Sequence, residues 1–352
     1  MAVDEAKVRA FGEKLFGDLG AACSIVLALT GDRLGLWKAL AGAGPLTPEE
    51  LAARTATAER YVREWLCAMA AAGYLRYDPD SACFALPDEH VPVLADESTP
   101  ATVLGFLQCV STLFKDEPKL LEAFRTGKGV AWGDHHPDLF QGTERVFRPS
   151  YEAHLVSEWI PALDGVDAKL RAGARVADVA CGHGVTTLIM AEAYPRSTFV
   201  GFDFHAPSVE RARHLAATKG LGTRVRFEVA TAKTFPGTGY DVVSVFDSLH
   251  DMGDPVGAAA HVRQALAPDG TWLLVEPFAH DRVEDNLNPL GRVFYAASSF
   301  ICTPASLAQE VGLGLGAQAG ESRLRDVVTQ GGFTRFRRAT ETPFNLVFEA
   351  RP

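Results

Sequence analysis

Cysteine is sparse and unpatterned in this chain. The six residues, Cys23, Cys67, Cys83, Cys109, Cys181 and Cys302, include no C-x-x-C pair, so neither a disulfide framework nor a zinc site is indicated. They read as reduced thiols in a cytoplasm. Basic residues are in deficit: 34 Lys and Arg stand against 44 Asp and Glu, a formal net charge of -10, which argues against a general affinity for nucleic acid or anionic membrane. Long hydrophobic runs are also lacking. The longest, around Leu19 to Leu29, is too short to span a bilayer, and the opening charges Asp4, Glu5, Lys7 and Arg9 do not look like a signal peptide. At 352 residues, 47% hydrophobic and 22% charged, the composition is that of a globular protein and the length suggests two domains.

The chain is organised around Asp178-Val179-Ala180-Cys181-Gly182-His183-Gly184. This stretch follows an apolar run from Arg175 that reads as a buried strand, and it precedes a helix from Val185 to Tyr194 that Pro195 ends. A strand turning through glycines into a helix presents free backbone N–H groups and room for a ligand. Asp203 ends the next apolar run, where a carboxylate can accept hydrogen bonds from a ribose diol. The ligand is therefore a nucleoside. No glycine stands three residues after Gly184, which sets aside the dinucleotide fingerprint, and no Lys-Ser/Thr follows, which excludes a P-loop.

Ahead of this region, Val8 to Ala41 gives two or more helices broken at Gly42-Ala43-Gly44-Pro45. Thr47-Pro48-Glu49-Glu50 is a helix start with a capping-box pattern. A longer helix from about Glu59 to Ala72 follows, then a hairpin from Gly73 to Leu86. Helix, helix, hairpin is a winged-helix pattern over residues 1–98. Arg60 and Arg63 could meet phosphates, but Glu59 and Glu64 accompany them, so packing or dimerisation is the expected role and nucleic acid is not an expected partner. Residues 99–165 read as a helical linker and substrate lid rich in aromatics, with a loop from Gly127 to Gly142. His135 and His136 have no carboxylate or cysteine at ligand spacing, so no metal is assigned there.

From Arg175 onward strands at 175–179, 198–203, 224–229, 241–247 and 271–276 alternate with helices, and 333–339 with 344–350 form a terminal hairpin. The glycine turn, with Ala180 where a first glycine is usual, resembles the cofactor motif of class I S-adenosylmethionine (SAM)-dependent methyltransferases. Phe246-Asp247-Ser248-Leu249-His250-Asp251-Met252 resembles the H-D-W segment of small-molecule O-methyltransferases, and Leu273 to Pro277 resembles their next strand. The resemblance implies an α/β fold: a doubly wound, Rossmann-like, seven-stranded sheet over 166–352, behind a mostly helical winged-helix domain.

It also implies roles. His250 would be the general base and Glu276 the carboxylate that orients it. SAM, leaving as S-adenosylhomocysteine (SAH), would lie against Asp178, Ala180, Gly182, His183, Gly184, Asp203, Phe204, Thr231, Ala232, Asp247 and Ser248. Thr231 stands where many relatives hold an adenine-binding Asp. Trp132, Tyr151, His154 and Asp251 are candidate substrate contacts. The second base-supporting glutamate of the plant enzymes falls at Gln318, with Glu321 nearby. The expected activity is methyl transfer to a small, aromatic acceptor, with oxygen as the nucleophile, in a cytoplasmic homodimer joined through the N-terminal domain and without membrane attachment. A SAM-binding winged-helix regulator, or a SAM-using enzyme without methyl transfer, would fit the same motifs.

Overall fold

The computed structural model describes residues 3–352. They fall into two compact units, one of residues up to 115 together with 136–150, the other of 116–135 together with 151–352. Residues 99–165, read from the sequence as linker and lid, are divided between them.

The first unit opens with one unbroken 29-residue helix, α1 (Glu5–Arg33), whose first turn is capped by the Asp4 carboxylate. This corrects the expectation drawn from Leu19 to Leu29 alone, because α1 is long and apolar enough, by length and composition, to cross a membrane. It also carries a Lys14–Asp18 pair at 2.8 Å near its middle, and charges are costly at a bilayer centre. Gly35, in the left-handed region at φ 72°, turns the chain into α2 (Leu36–Leu40).

The capping box forms as expected at α3 (Pro48–Thr55): Glu50 N–H donates to Thr47 Oγ1 at 3.2 Å and Thr47 N–H to Glu50 Oε2 at 2.8 Å. In α4 (Glu59–Ala71) the residues Val62, Trp65, Leu66 and Met69 recur at helical spacing and are buried. Trp65 meets Trp37 edge to face at 4.6 Å between ring centroids. Strands β1 (Arg76–Asp78) and β2 (Cys83–Ala85) pair antiparallel as the wing. Arg63 is bound to Glu59 and Glu49, and Arg60 to Glu64, so the cations of α4 are already matched.

The expected loop from Gly127 to Gly142 is shorter, because the helix Asp138–His154 begins before Gly142. A Cβ on Gly142 would sit 2.7 Å from Cys109 Sγ. That glycine permits close helix packing inside the helix instead of ending a loop.

The second unit is built on a seven-stranded sheet in the order β5-β4-β3-β6-β7-β9-β8. Strands β3 (Arg175–Val179), β4 (Thr198–Asp203), β5 (Val225–Val229), β6 (Tyr240–Phe246) and β7 (Leu266–Pro277) run parallel. The hairpin of β8 (Arg335–Glu341) and β9 (Asn345–Arg351) joins antiparallel through β9. β7 begins earlier than the expected 271, because Leu266 pairs with Tyr240 before a register shift brings Thr271 opposite Val242. Val179, Val245, Leu274 and Phe348 are buried in the core of this unit. The strand order reverses between β3 and β6, which opens the crevice at their carboxyl ends.

Candidate active site

Left-handed backbone builds the turn after β3. Ala180, Gly182 and Gly184 have φ of 58°, 53° and 77°. Ala180 holds this conformation without being glycine, at a cost of roughly 1–2 kcal/mol. The two glycines differ in what surrounds them. A Cβ on Gly184 would lie 2.5 Å from the Phe227 ring, whereas one on Gly182 would meet nothing within 4 Å. Gly184 lets helix and sheet close, and Gly182 leaves space where a ligand approaches the main chain.

Asp178 holds the turn from below. Its Oδ2 accepts from the Thr186 and Thr187 hydroxyls at 2.6 Å each, and its Oδ1 accepts from Ser244 at 2.9 Å. Its carboxylate is thus a scaffold of the cradle. Asp203 Oδ2 accepts from Gly182 N–H at 2.9 Å and Oδ1 from His205 N–H at 2.8 Å, so the carboxylate sits at the rim of the cradle with lone pairs still free to meet a diol. Burial pushes both carboxyls upward, against the hydrogen bonds they accept.

Around the cradle, Phe204 is half exposed and His183 part-buried. Thr231 is exposed, its hydroxyl 2.8 Å from that of Thr234, and Ala232 is part-buried beside it. The turn carrying Trp132 lies over this rim, since a Cβ on Gly133 would be 3.5 Å from the His205 ring. Val130 N–H donating to Pro304 O at 3.0 Å anchors it.

The loop after β6 is the second half of the site. Asp247 has φ 46°, unusual for a residue with a side chain. Tyr151 O–H donates to its Oδ2 at 2.7 Å and Asn345 Nδ2 to its Oδ1 at 2.8 Å. Burial pushes the Asp247 carboxyl up to about 7 against the Tyr151 hydrogen bond, with Glu276 adding to the rise. Ser248 Oγ is buried without a hydrogen-bond partner, an orphan that a bound polar ligand would satisfy. The open space at Gly182, the Asp203 carboxylate and this hydroxyl fit a nucleoside with a polar tail.

His250 and Glu276 meet as expected. Glu276 Oε2 accepts from His250 Nδ1 at 2.6 Å while its Oε1 accepts from Leu249 N–H at 2.9 Å, so one buried carboxylate fixes both the ring and the loop. The second carboxylate at the ring is Asp251, whose Oδ1 is 3.1 Å from Nε2. Gln318 donates weakly to backbone carbonyls, and Glu321 pairs with Arg325 and Arg338, so neither supports the ring. Burial alone would disfavour the imidazolium, but Asp251 and Glu276 outweigh it and hold His250 well above its ordinary value. The candidate substrate residues separate: Tyr151 joins the site through Asp247, whereas His154 stacks on Trp159 and pairs with Glu158. Asn345 and Cys302 border the site with no signal in their sequence spacing.

The glycine-turned cradle at β3 and the carboxylate-held histidine beyond β6 both lie within the stretch matched by a family model. Residues 170–304 match the family model described as a methyltransferase domain, and 21–96 match that of the Rv2258c-like winged HTH domain. The chain thus carries a methyltransferase domain behind an N-terminal winged helix-turn-helix. Demethylmenaquinone methyltransferase of Thermus thermophilus is 31% identical over 106 residues, 30% of this chain and 48% of that protein. 27-O-demethylrifamycin SV methyltransferase of Amycolatopsis mediterranei is 35% identical over 107 residues, 30% of this chain and 39% of that one. The chain spans about half or less of the length of these curated relatives.

Solved structures match over the whole chain. Mitomycin 7-O-methyltransferase MmcR superposes with a TM-score of 0.72 at 20% identity, covering 99% of this chain and 100% of that one. Human N-acetylserotonin methyltransferase, solved in complex with SAM, gives 0.71 at 16% identity, covering 99% and 98%. The fold is that of SAM-dependent methyltransferases.

Proposed function

We propose that the protein binds SAM in the β3 cradle and methylates an oxygen of a small, aromatic acceptor. The observation that carries this reading is the 2.6 Å pairing of His250 with Glu276 beyond the carboxyl ends of neighbouring parallel strands, in the same crevice as the cradle. When bound, SAM supplies a methyl group on a sulfonium, transferred by in-line displacement to leave SAH. His250 Nε2 takes the acceptor's proton, and Glu276 fixes the tautomer and stabilises the charged ring. Asp251 and Glu276 favour the charged ring over its ordinary balance, so the base form gains population as pH rises. Trp132 offers aromatic surface to the acceptor, and Tyr151 holds Asp247 in place beside it.

Asp203→Ala tests the cofactor assignment. Losing a charged acceptor for the ribose should weaken SAM by about 1.5 to 3 kcal/mol, roughly 10- to 150-fold, read by calorimetry. An unchanged affinity would place the ribose elsewhere.

The same reading makes the protein a cytoplasmic homodimer. Val8, Phe11, Leu15 and Leu19 recur at helical spacing on α1 and are 56%, 65%, 49% and 57% exposed, an apolar stripe of the kind an obligate interface of more than about 2,000 Å² covers. Light scattering should give a dimer for the wild type and a monomer for Phe11→Glu/Leu15→Glu. A wild-type monomer at micromolar concentration would contradict it.

A further inference from the structure

Cys302 lies beside the base. The helix Thr303–Leu307 that follows it is tied to the His250 loop by Ser306 Oγ donating to Met252 O at 2.8 Å, and the chain just beyond by Gln309 Nε2 donating to Asp251 O at 2.9 Å. These bonds bring the buried Cys302 thiol, a His250 ring nitrogen and an Asp251 carboxylate oxygen within 4.8 Å of one another. The thiol has no disulfide partner.

Two further observations show what this trio is fitted for. His250 Nε2 and Asp251 Oδ1 are 3.1 Å apart, and the Cys302 thiol interacts with both residues. One imidazole nitrogen, one carboxylate oxygen and one thiol are thus gathered in one place. The other ring nitrogen, Nδ1, donates to Glu276 at 2.6 Å, and a carboxylate is one of the usual acceptors for the second N–H of a metal-bound histidine.

We propose that His250 Nε2, Asp251 Oδ1 and Cys302 Sγ form a site for a thiophilic divalent cation, Zn²⁺ above all, and that its occupation switches the enzyme off. Imidazole and thiolate select zinc over magnesium or calcium. In tetrahedral zinc sites the ligand atoms lie roughly 3.3 to 3.8 Å apart, so shifts of about 1 Å or less, including a slight opening of the 3.1 Å Nε2–Oδ1 pair, bring the trio to that spacing. Bonds form from zinc to Nε2, Oδ1 and Sγ, and the protons held by the thiol and Nε2 go to solvent. The fourth position is left to water. Zinc then occupies the lone pair that the Proposed function gives to the acceptor's proton, so the inhibition rests on that reading, while the binding does not.

The test uses the full chain stripped by a chelator, without SAM. Added Co²⁺ should give one equivalent of binding with a thiolate-to-cobalt charge-transfer band, displaced by Zn²⁺. Cys302→Ser should lose the band, and Glu276→Gln should lower affinity roughly 10- to 100-fold. With SAM and an acceptor present, Zn²⁺ should depress wild-type turnover reversibly and leave that of Cys302→Ser insensitive. Absence of stoichiometric metal, metal bound without the thiolate band, or equal zinc inhibition in Cys302→Ser would overturn the proposal. SAM affinity, measured separately by calorimetry, reports on the cofactor reading alone. A folding defect in Cys302→Ser would appear in its circular dichroism, and the wild-type cobalt spectrum still decides the site.

Discussion

His250→Ala should lower turnover by roughly 10² to 10⁴ fold while leaving SAM affinity nearly unchanged, the usual worth of a positioned general base. His250 is buried with Nδ1 bound to Glu276 and Nε2 facing Asp251, so truncation removes the imidazole that Glu276 holds in place. For a phenolic acceptor, raising the pH should rescue the variant in part, because solvent then deprotonates the nucleophile. The wild type should also gain rate as pH rises above the ordinary histidine range. The sign follows from His250 being held above its ordinary value by two carboxylates, since a raised value means the neutral ring appears only at higher pH. Glu276→Gln should cost less turnover, as it removes the orienting charge but keeps the base. Equal rates for wild type and His250→Ala across pH 6 to 9 would make proximity the sole source of the rate.

The second large effect separates the two cradle glycines. Gly184→Ala adds a methyl 2.5 Å from the Phe227 ring at φ 77°, so strain of about 1–2 kcal/mol adds to overpacking of about 1–3 kcal/mol. Thermal unfolding should fall by roughly 4 to 20 °C. Gly182→Ala carries only the strain, because its methyl enters open space, and that space is where the ligand approaches. Its stability should drop by about 1–2 kcal/mol, yet its SAM affinity should fall further than that of any exposed surface variant. Equal unfolding temperatures for the two variants would contradict this division between packing and binding.

Much of the second unit was legible because its strands are apolar runs ended by residues with definite backbone demands. β3 and β4 begin and end where the sequence placed them, since Asp203, Pro195 and the glycine turn punctuate the pattern. β7 was read short because Pro268-Asp269-Gly270 has turn chemistry, whereas the strand passes through it at a register shift. Gly142 misled in the opposite direction, as a packing glycine inside a helix resembles loop punctuation when its neighbour Cys109 is unknown.

In the site, the pairing of His250 with Glu276 could be expected from the resemblance of two adjacent strand ends. The second carboxylate could not, because Gln318 and Glu321 stood at the expected place while Asp251 reaches the ring from the adjacent position. Asp178 was expected to face the cofactor, but its hydrogen bonds go to three hydroxyls that only the folded helix and strand bring together. Cys302 has no sequence relation to His250 at all. Its approach depends on the hydrogen bonds of Ser306 and Gln309, which no spacing rule anticipates.

Titration of SAM into the wild-type protein by calorimetry is the most direct measurement. The cradle of Gly182, Asp203 and Ser248 predicts saturable binding at a single site per chain, competed by SAH, not competed by NAD, and weakened in Asp203→Ala. No heat of binding with SAM at millimolar concentration, or displacement of bound SAM by NAD, would contradict the account.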